Sequence, residues 1–167
     1  MFKSFAVLAA SAMIASTGSA GDPTAPTADF QKYYKIAMSV KPSGQLMRTR
    51  VESKPNGTTV MGFYLYNRDD RILFEREVDM KSGLIVKDTS KELGSLAADM
   101  ANLIMKKADA KAKLPDGRLM EIAAEHMKDK AYTEIKYEKV GETLVLTAGD
   151  VSFDAATGKV VEKPKAK

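Results

Sequence analysis

The sequence predicts an α+β protein: two units, each a helix followed by an antiparallel meander, in tandem with a helical pair between them. Three observations predict it. Runs of alternating apolar and polar residues come in clusters behind a helical stretch, which is not the βαβ order of a parallel sheet. The stretch VDMKSGLIVK, Val78 to Lys87, has an echo 75 residues later in FDAATGKVVE, Phe153 to Glu162. Each copy ends a helix-plus-hairpin run, so the match extends to a whole unit.

The ends come first. Residues 1–20 carry one charge, Lys3, then an apolar run from Phe5 to Ala15 and small residues at Gly18-Ser19-Ala20. That is the layout of a secretory signal peptide cleaved near Ala20. The run is shorter than the about 20 apolar residues of a membrane span. Cleavage leaves 147 of the 167 residues and lowers the net charge from +4 to +3. A chain of that length can bury a core without staples. It contains no cysteine, which excludes disulfides, thiolate metal sites and a cysteine-linked lipid. Residues 21–28, opening GDPTAPT, form a Pro-rich linker.

The first unit, residues 29–88, opens with a helix from Asp29 to about Val40. Phe30, Tyr33, Tyr34 and Ala37 make one apolar stripe, and Pro42 and Gly44 end it. In Gln45 to Lys54, Met47, Thr49 and Val51 alternate with Arg48, Arg50 and Glu52. Asn56-Gly57 is a hairpin turn; the same residues with Thr58 match a glycosylation acceptor only weakly. Thr58 to Tyr66 is apolar on both faces, with Val60, Tyr64 and Tyr66 on one and Met61, Phe63 and Leu65 on the other. Such a strand is central or covered on its second side. Arg71 to Asp79 turns Ile72, Phe74 and Val78 inward, and Leu84 to Lys87 closes the unit.

Residues 89–113 are expected to form a connecting helix. Thr89-Ser90-Lys91-Glu92 has the pattern of a capping box, and Leu93, Leu96, Met100, Leu103 and Ile104 form a stripe on one side. The second unit, residues 114–163, starts with a helix from Pro115 to about Lys130 carrying Leu119, Ile122, Ala123 and Met127. Strands follow at Thr133–Glu138, Thr143–Thr147, Gly149–Asp154 and Lys159–Glu162. The basic tail, 164–167, is a solvated terminus. The body shows no basic stripe with interleaved aromatics, so no nucleic-acid partner is expected.

The repeated unit resembles the PepSY domain, a helix and short meander whose last hairpin carries an apolar-Asp-x-x-Ser/Thr-Gly-x-Ile/Val-Val signature. Here the signature is Val78-Asp79-Met80-Lys81-Ser82-Gly83-Leu84-Ile85-Val86 and Phe153-Asp154-Ala155-Ala156-Thr157-Gly158-Lys159-Val160-Val161. The second copy is the closer match; the first departs at Met80-Lys81 and at the bulky Leu84. The tandem order is similar to that of the β-lactamase-inhibitor-like fold, whose disulfides this chain lacks. The resemblance implies an exported, non-catalytic module, with inhibition of peptidases as a family-level role.

Chemistry-bearing residues are sparse. Asp79 and Asp154 with their hydroxyl neighbours suggest a cation loop, but calcium needs oxygens at alternate positions. Lys81 and Ala156 stand there instead. Turn chemistry is the expected role of Asp79, Gly83, Asp154 and Gly158. His126 is the one histidine, and a zinc site needs more ligands than it can supply. Hydrolase motifs are absent from the sequence. Glu75, Glu77, Glu121, Glu125 and Asp129 fall at surface spacing.

The aromatics suggest a surface. Tyr33, Tyr34, Phe63, Tyr64 and Tyr66 either fill the larger core or leave a patch for a protein partner. The expectation is a periplasmic or secreted binding module, not an enzyme, with no cofactor and no metal. Its partner is another exported protein, a peptidase on the family resemblance, and it has no stable membrane insertion after signal cleavage. The alternative is a small-ligand or lipid carrier. That would use a gap between the sheet and the Lys91 helix, lined by some of the eight methionines after residue 20.

Overall fold

A computed structural model describes residues 25–27, 29–128 and 130–161. The predicted signal peptide, the linker up to residue 24 and the basic tail lie outside the described residues. In chain order the elements are α1 (Phe30–Ser39), β1 (Gln45–Ser53), β2 (Thr59–Asn67), β3 (Ile72–Asp79), β4 (Ile85–Glu92), α2 (Ser95–Ile104), α3 (Lys107–Ala112), α4 (Asp116–Met127), β5 (Glu134–Val140), β6 (Thr143–Ala148), β7 (Val151–Asp154) and β8 (Val160–Val161).

All the strands join one antiparallel sheet in the order β4-β3-β2-β1-β5-β6-β7-β8. Each half is a meander, and the halves meet through their first strands, where Arg48, Thr49 and Arg50 stand opposite Lys136, Ile135 and Glu134. The Asn56-Gly57 turn sets the β1–β2 register, from Ser53 opposite Thr59 to Arg48 opposite Tyr64. A bulge between Leu46 and Arg48 then shifts it.

The core lies on one face of this sheet. α1 buries Phe30, Tyr33 and Ala37, and α4 buries Leu119, Met120, Ala123 and Met127. They meet Met61, Phe63 and Leu65 of β2, Phe74 and Val78 of β3, Ile135 and Tyr137 of β5, Leu144 and Leu146 of β6 and Phe153 of β7. Period-two alternation brings these to the same side. Thr49 is buried with them and donates its hydroxyl proton to the Gly62 carbonyl.

The two Asp-to-Gly motifs close the same loop. Asp79 Oδ1 accepts from the Lys81 and Ser82 N–H groups at 2.8 and 2.6 Å. Asp154 Oδ1 accepts from Ala156 and Thr157 at 2.9 and 2.8 Å. Gly83 and Gly158 take φ values of 73° and 72°, where a side chain is strained. An isoleucine from the unit's own helix lies over each glycine, Ile36 of α1 over Gly83 and Ile122 of α4 over Gly158.

The connecting segment differs from the sequence expectation. Thr89-Ser90-Lys91-Glu92 does not cap a helix; it completes β4, paired with Glu75, Phe74, Leu73 and Ile72 of β3. β3 offers a full row of ladder partners, and a β-ladder satisfies more backbone groups than a cap does. Helix begins instead at Ser95 and breaks at Met105, whose φ of −115° and ψ of 71° are not helical, so one expected helix is two. Of the expected stripe, Ile104 packs against the core and Leu93 is half-buried, but the rest faces the other way. Ala98, Ala101, Asn102 and Met105 turn inward, while Leu96, Met100 and Leu103 are 70%, 48% and 60% exposed.

Candidate functional site on the open face of the sheet

The face opposite α1 and α4 is covered mainly by its own side chains. Their centre is Tyr64, half-buried on β2. The guanidinium groups of Arg48 and Arg50 lie 5.2 and 5.4 Å from its ring centroid, within reach of cation–π attraction. Gly62, opposite Arg50, carries no side chain, and an ideal Cβ there would lie 3.6 Å from Arg50 Cγ. Arg50 thus lies across β2 and reaches Glu75 of β3 at 3.7 Å. Tyr64 donates its hydroxyl proton to the same Glu75 at 2.9 Å.

Ion pairs extend from this centre. Arg48 meets Glu134 at 2.7 Å across the junction of the halves, Lys87 meets Glu75 at 2.8 Å, and Lys54 meets Glu77 at 3.0 Å. On the second half, Glu138 accepts from Thr147 at 2.7 Å. Burial and the hydrogen bond to Glu75 push the Tyr64 hydroxyl up to about 12, against the opposing charges of Arg50 and Arg48. Burial works to raise the Glu75 carboxyl too, but hydrogen bonds from Lys87 and Tyr64 and the charges of Lys87 and Arg50 hold it below its usual range. The centre is therefore a neutral tyrosine between two fixed cations and an ionised carboxylate at neutral pH.

The five aromatics singled out from the sequence are not brought to one surface. Tyr33, Tyr34 and Phe63 belong to the helix side, where Phe30 stacks on Tyr34 at 5.0 Å and tilts on Phe63 at 6.0 Å. Phe63 is fully buried. Tyr33 is buried and donates to the Met80 carbonyl at 2.6 Å. Tyr34 donates to Asp116 at 3.2 Å. Tyr66 shares the open face with Tyr64 but is buried, its hydroxyl reaching Asn102 of α2 at 3.4 Å. Of the five, Tyr64 alone combines partial exposure with a place on the open face. Arg48, Arg50 and Glu75 were visible in the sequence only as a wet strand face. The signal that assembles them is the register set by the Asn56-Gly57 turn.

Other candidates are dispersed. His126 is exposed on α4, edge-on to Phe153 at 5.3 Å. Among the described residues no three His, Asp or Glu side chains gather as a metal site. A groove of about 360 Å³ runs beside Phe30, Gln31, Gly117 and Met120, and a smaller hollow of about 130 Å³ lies beside Asp109, Lys113 and Asp154. Neither lies between the sheet and α2. Four methionines, Met61, Met105, Met120 and Met127, are core residues. No described helix is long and apolar enough to cross a membrane.

No protein-family model matches the chain, and no curated protein matches it. A solved structure described as a "putative lipoprotein" of Clostridium difficile 630 is similar to it. That structure is 14% identical, the match covers 85% of this chain and 93% of that one, and the TM-score is 0.48.

Proposed function

We propose that the chain is an exported, non-catalytic binding module that acts by contact with another exported protein through the open face of its sheet, centred on Tyr64. The observation that carries this reading is the arrangement of Arg48, Tyr64 and Arg50. Tyrosine and arginine contribute most to protein interfaces, and here they sit side by side on a sheet face that neither α1 nor α4 covers. Glu134 and Glu75 already hold the two arginines in place, so contact would cost little side-chain entropy. The PepSY resemblance adds the partner class, an envelope peptidase.

The test is a pull-down from periplasmic extract with the wild-type protein and with Arg50→Ala plus Tyr64→Ala, after circular dichroism has shown both folded. The wild type should retain a partner that the variant loses by tenfold or more, the order expected when hot-spot side chains are truncated. Equal recovery would remove the open face as the contact surface.

A further inference from the structure

The sheet leaves one long edge free. β4 ends the strand order, whereas β8 at the opposite edge is two residues long. Every residue from Asp88 to Glu92 is exposed, so among the described residues nothing lies along this edge. The register shows which backbone groups are free. Glu92 stands opposite Ile72, and the next N–H, that of Leu93, donates to the Arg71 carbonyl at 2.9 Å. Hydrogen-bonded pairs recur at every second residue of an antiparallel ladder. Lys91, Thr89 and Lys87 therefore bond to β3, while Asp88, Ser90 and Glu92 turn N–H and C=O outward. β4 contains no proline, and its bulge lies before Lys87. A straight row of unpaired donors and acceptors fits an extended peptide backbone. We infer that the outer edge of β4 takes an extended segment of a different protein as a ninth, antiparallel strand.

The side chains specify the kind of segment. Thr89 stands opposite Glu75, which stands opposite Tyr64, so Lys87, Thr89 and Lys91 share the open face. Asp88, Ser90 and Glu92 take the other face. Lys87 meets Glu75 at 2.8 Å and Asp88 meets Arg76 at 3.0 Å, so these two charges are balanced within the sheet. Lys91 and Glu92 have no ion pair among the described residues. The complementary segment carries an acid opposite Lys91 and, next to it, a base opposite Glu92. At the other end of the edge Leu84 and Val86 are 65% and 55% exposed, which calls for an apolar residue there. Read from its own N-terminus, the segment runs base, acid, then apolar.

A second copy of the chain does not supply that segment. Two β4 edges paired antiparallel are related by a two-fold axis, which must pass through a residue for paired side chains to share a face. Centred on Lys87, Asp88 or Lys91, the axis sets that residue against itself. Centred on Thr89 it sets Lys87 against Lys91, and on Ser90 it sets Asp88 against Glu92. Each of these registers opposes like charges, which protects the edge from its own kind. A segment with the opposite order of charge meets no such penalty. The added strand would widen the open face beyond Lys87, the cation that holds Glu75 beside Tyr64. Its binding does not require that Tyr64 itself touch the partner.

Amide exchange of the protein, followed residue by residue by NMR, tests the inference with the synthetic peptide Lys-Glu-Thr-Val-Lys-Glu-Val. Its first two residues fall opposite Glu92 and Lys91, and its last opposite Val86. A peptide this short should bind with Kd on the order of 1 mM. At about 10 mM peptide the amides of Asp88, Ser90 and Glu92 should slow about tenfold. Those of Lys87, Thr89 and Lys91, already bonded to β3, should slow less. Ser90→Pro removes an outward N–H without breaking the β3 ladder, so it should keep the circular dichroism and abolish the effect. Exchanging the peptide's first two residues, to Glu-Lys, should weaken binding about tenfold. Lys91→Glu plus Glu92→Lys should reverse that preference. Absence of slowing at the highest peptide concentration overturns the inference, as does equal slowing of the two sets of amides. Equal binding of both peptides by both proteins overturns the assigned charge order. Slowing of the same amides with protein concentration alone would assign the edge to a second copy. None of these variants touches Arg50 or Tyr64, so the outcome is separate from that of the pull-down.

Discussion

Arg76 is fully buried on the core face of β3, between Phe74 and Val78. Its Nη1 donates to the Ala37 and Val40 carbonyls at 2.7 and 3.0 Å, its Nη2 to the Pro42 carbonyl, and its Nε to Asp88 at 3.0 Å. Ala37 and Val40 supply the unpaired acceptors at the negative end of α1, which has no basic residue in its last turn. One planar guanidinium thus ends the helix and ties it to β3. Arg76→Met should cost roughly 3 kcal/mol in urea unfolding, because it strands those buried acceptors. Arg76→Lys should recover only part of this, since one ammonium cannot present donors in the same fan. A loss below 1 kcal/mol for Arg76→Met would show that water serves these carbonyls equally well. The turn glycines offer a paired test. An ideal Cβ at Gly83 lies 3.7 Å from Ile36 Cδ1, but one at Gly158 lies 2.5 Å from Ile122 Cδ1. Both alanine variants should lose about 1 kcal/mol for the positive φ. Gly158→Ala should lose about 1 kcal/mol more by crowding, and Ile122→Val should relieve that second part.

At the scale of elements, α2 inverts the usual economy of an amphipathic helix, and the inversion predicts stability. Leu96→Ser should leave the melting temperature within the range of an ordinary surface change, about 0.5 kcal/mol. Ala98→Leu, on the fully buried side, should cost about 1–3 kcal/mol by overpacking. The opposite ranking would mean that the Leu96 side is the packed one. This helix is also where sequence reasoning fails. Periodicity locates a stripe at Leu96, Met100 and Leu103 but carries no sign for which side is inward, and the larger side chains invite the wrong choice. The capping-box pattern at Thr89 to Glu92 fails because the free edge of β3 is a non-local partner. Elements whose partners are local are legible. Residues of α1 and α4, the strands of both meanders other than β4 and the two Asp-to-Gly turns fall within a few residues of where spacing and turn chemistry put them. The candidate site is half legible. Alternation puts Tyr64 opposite in facing to Phe63, and the Asn56-Gly57 turn fixes which residues stand beside it. The burial of Tyr66 under Asn102, and of Arg76 under the end of α1, depends on contacts 36 and 39 residues away along the chain.

At the scale of the molecule, the question is whether the two halves are one folding unit. β1 and β5 pair over only three positions. The helix side ties the halves more firmly. Asp116, at the start of α4, accepts from Tyr137 of β5 at 2.5 Å, from Tyr34 of α1 at 3.2 Å and from Lys113 at 2.6 Å. Burial first, and then the Asp116 charge, pushes both tyrosine hydroxyls far above their ordinary value. Each is neutral in the folded chain, whereas in the unfolded chain it ionises near pH 10. A folded pKa above the unfolded one means stability that is complete below about pH 10 and drains away as pH rises beyond it. Tyr64, pushed up to about 12, adds to the same loss from the open face of the first half. If the continuous core makes the halves one cooperative unit, tyrosinate absorbance from these side chains should stay suppressed past pH 10. It should then appear in a single step that coincides with the loss of circular dichroism. Tyr34→Phe and Tyr137→Phe should each reduce the amplitude of that one step. If the halves unfold separately, the Tyr137→Phe difference will fall at a pH different from that of Tyr64→Phe. In that case the three pairs between β1 and β5 and the Asp116 cluster are too weak a seam to make one unit of two.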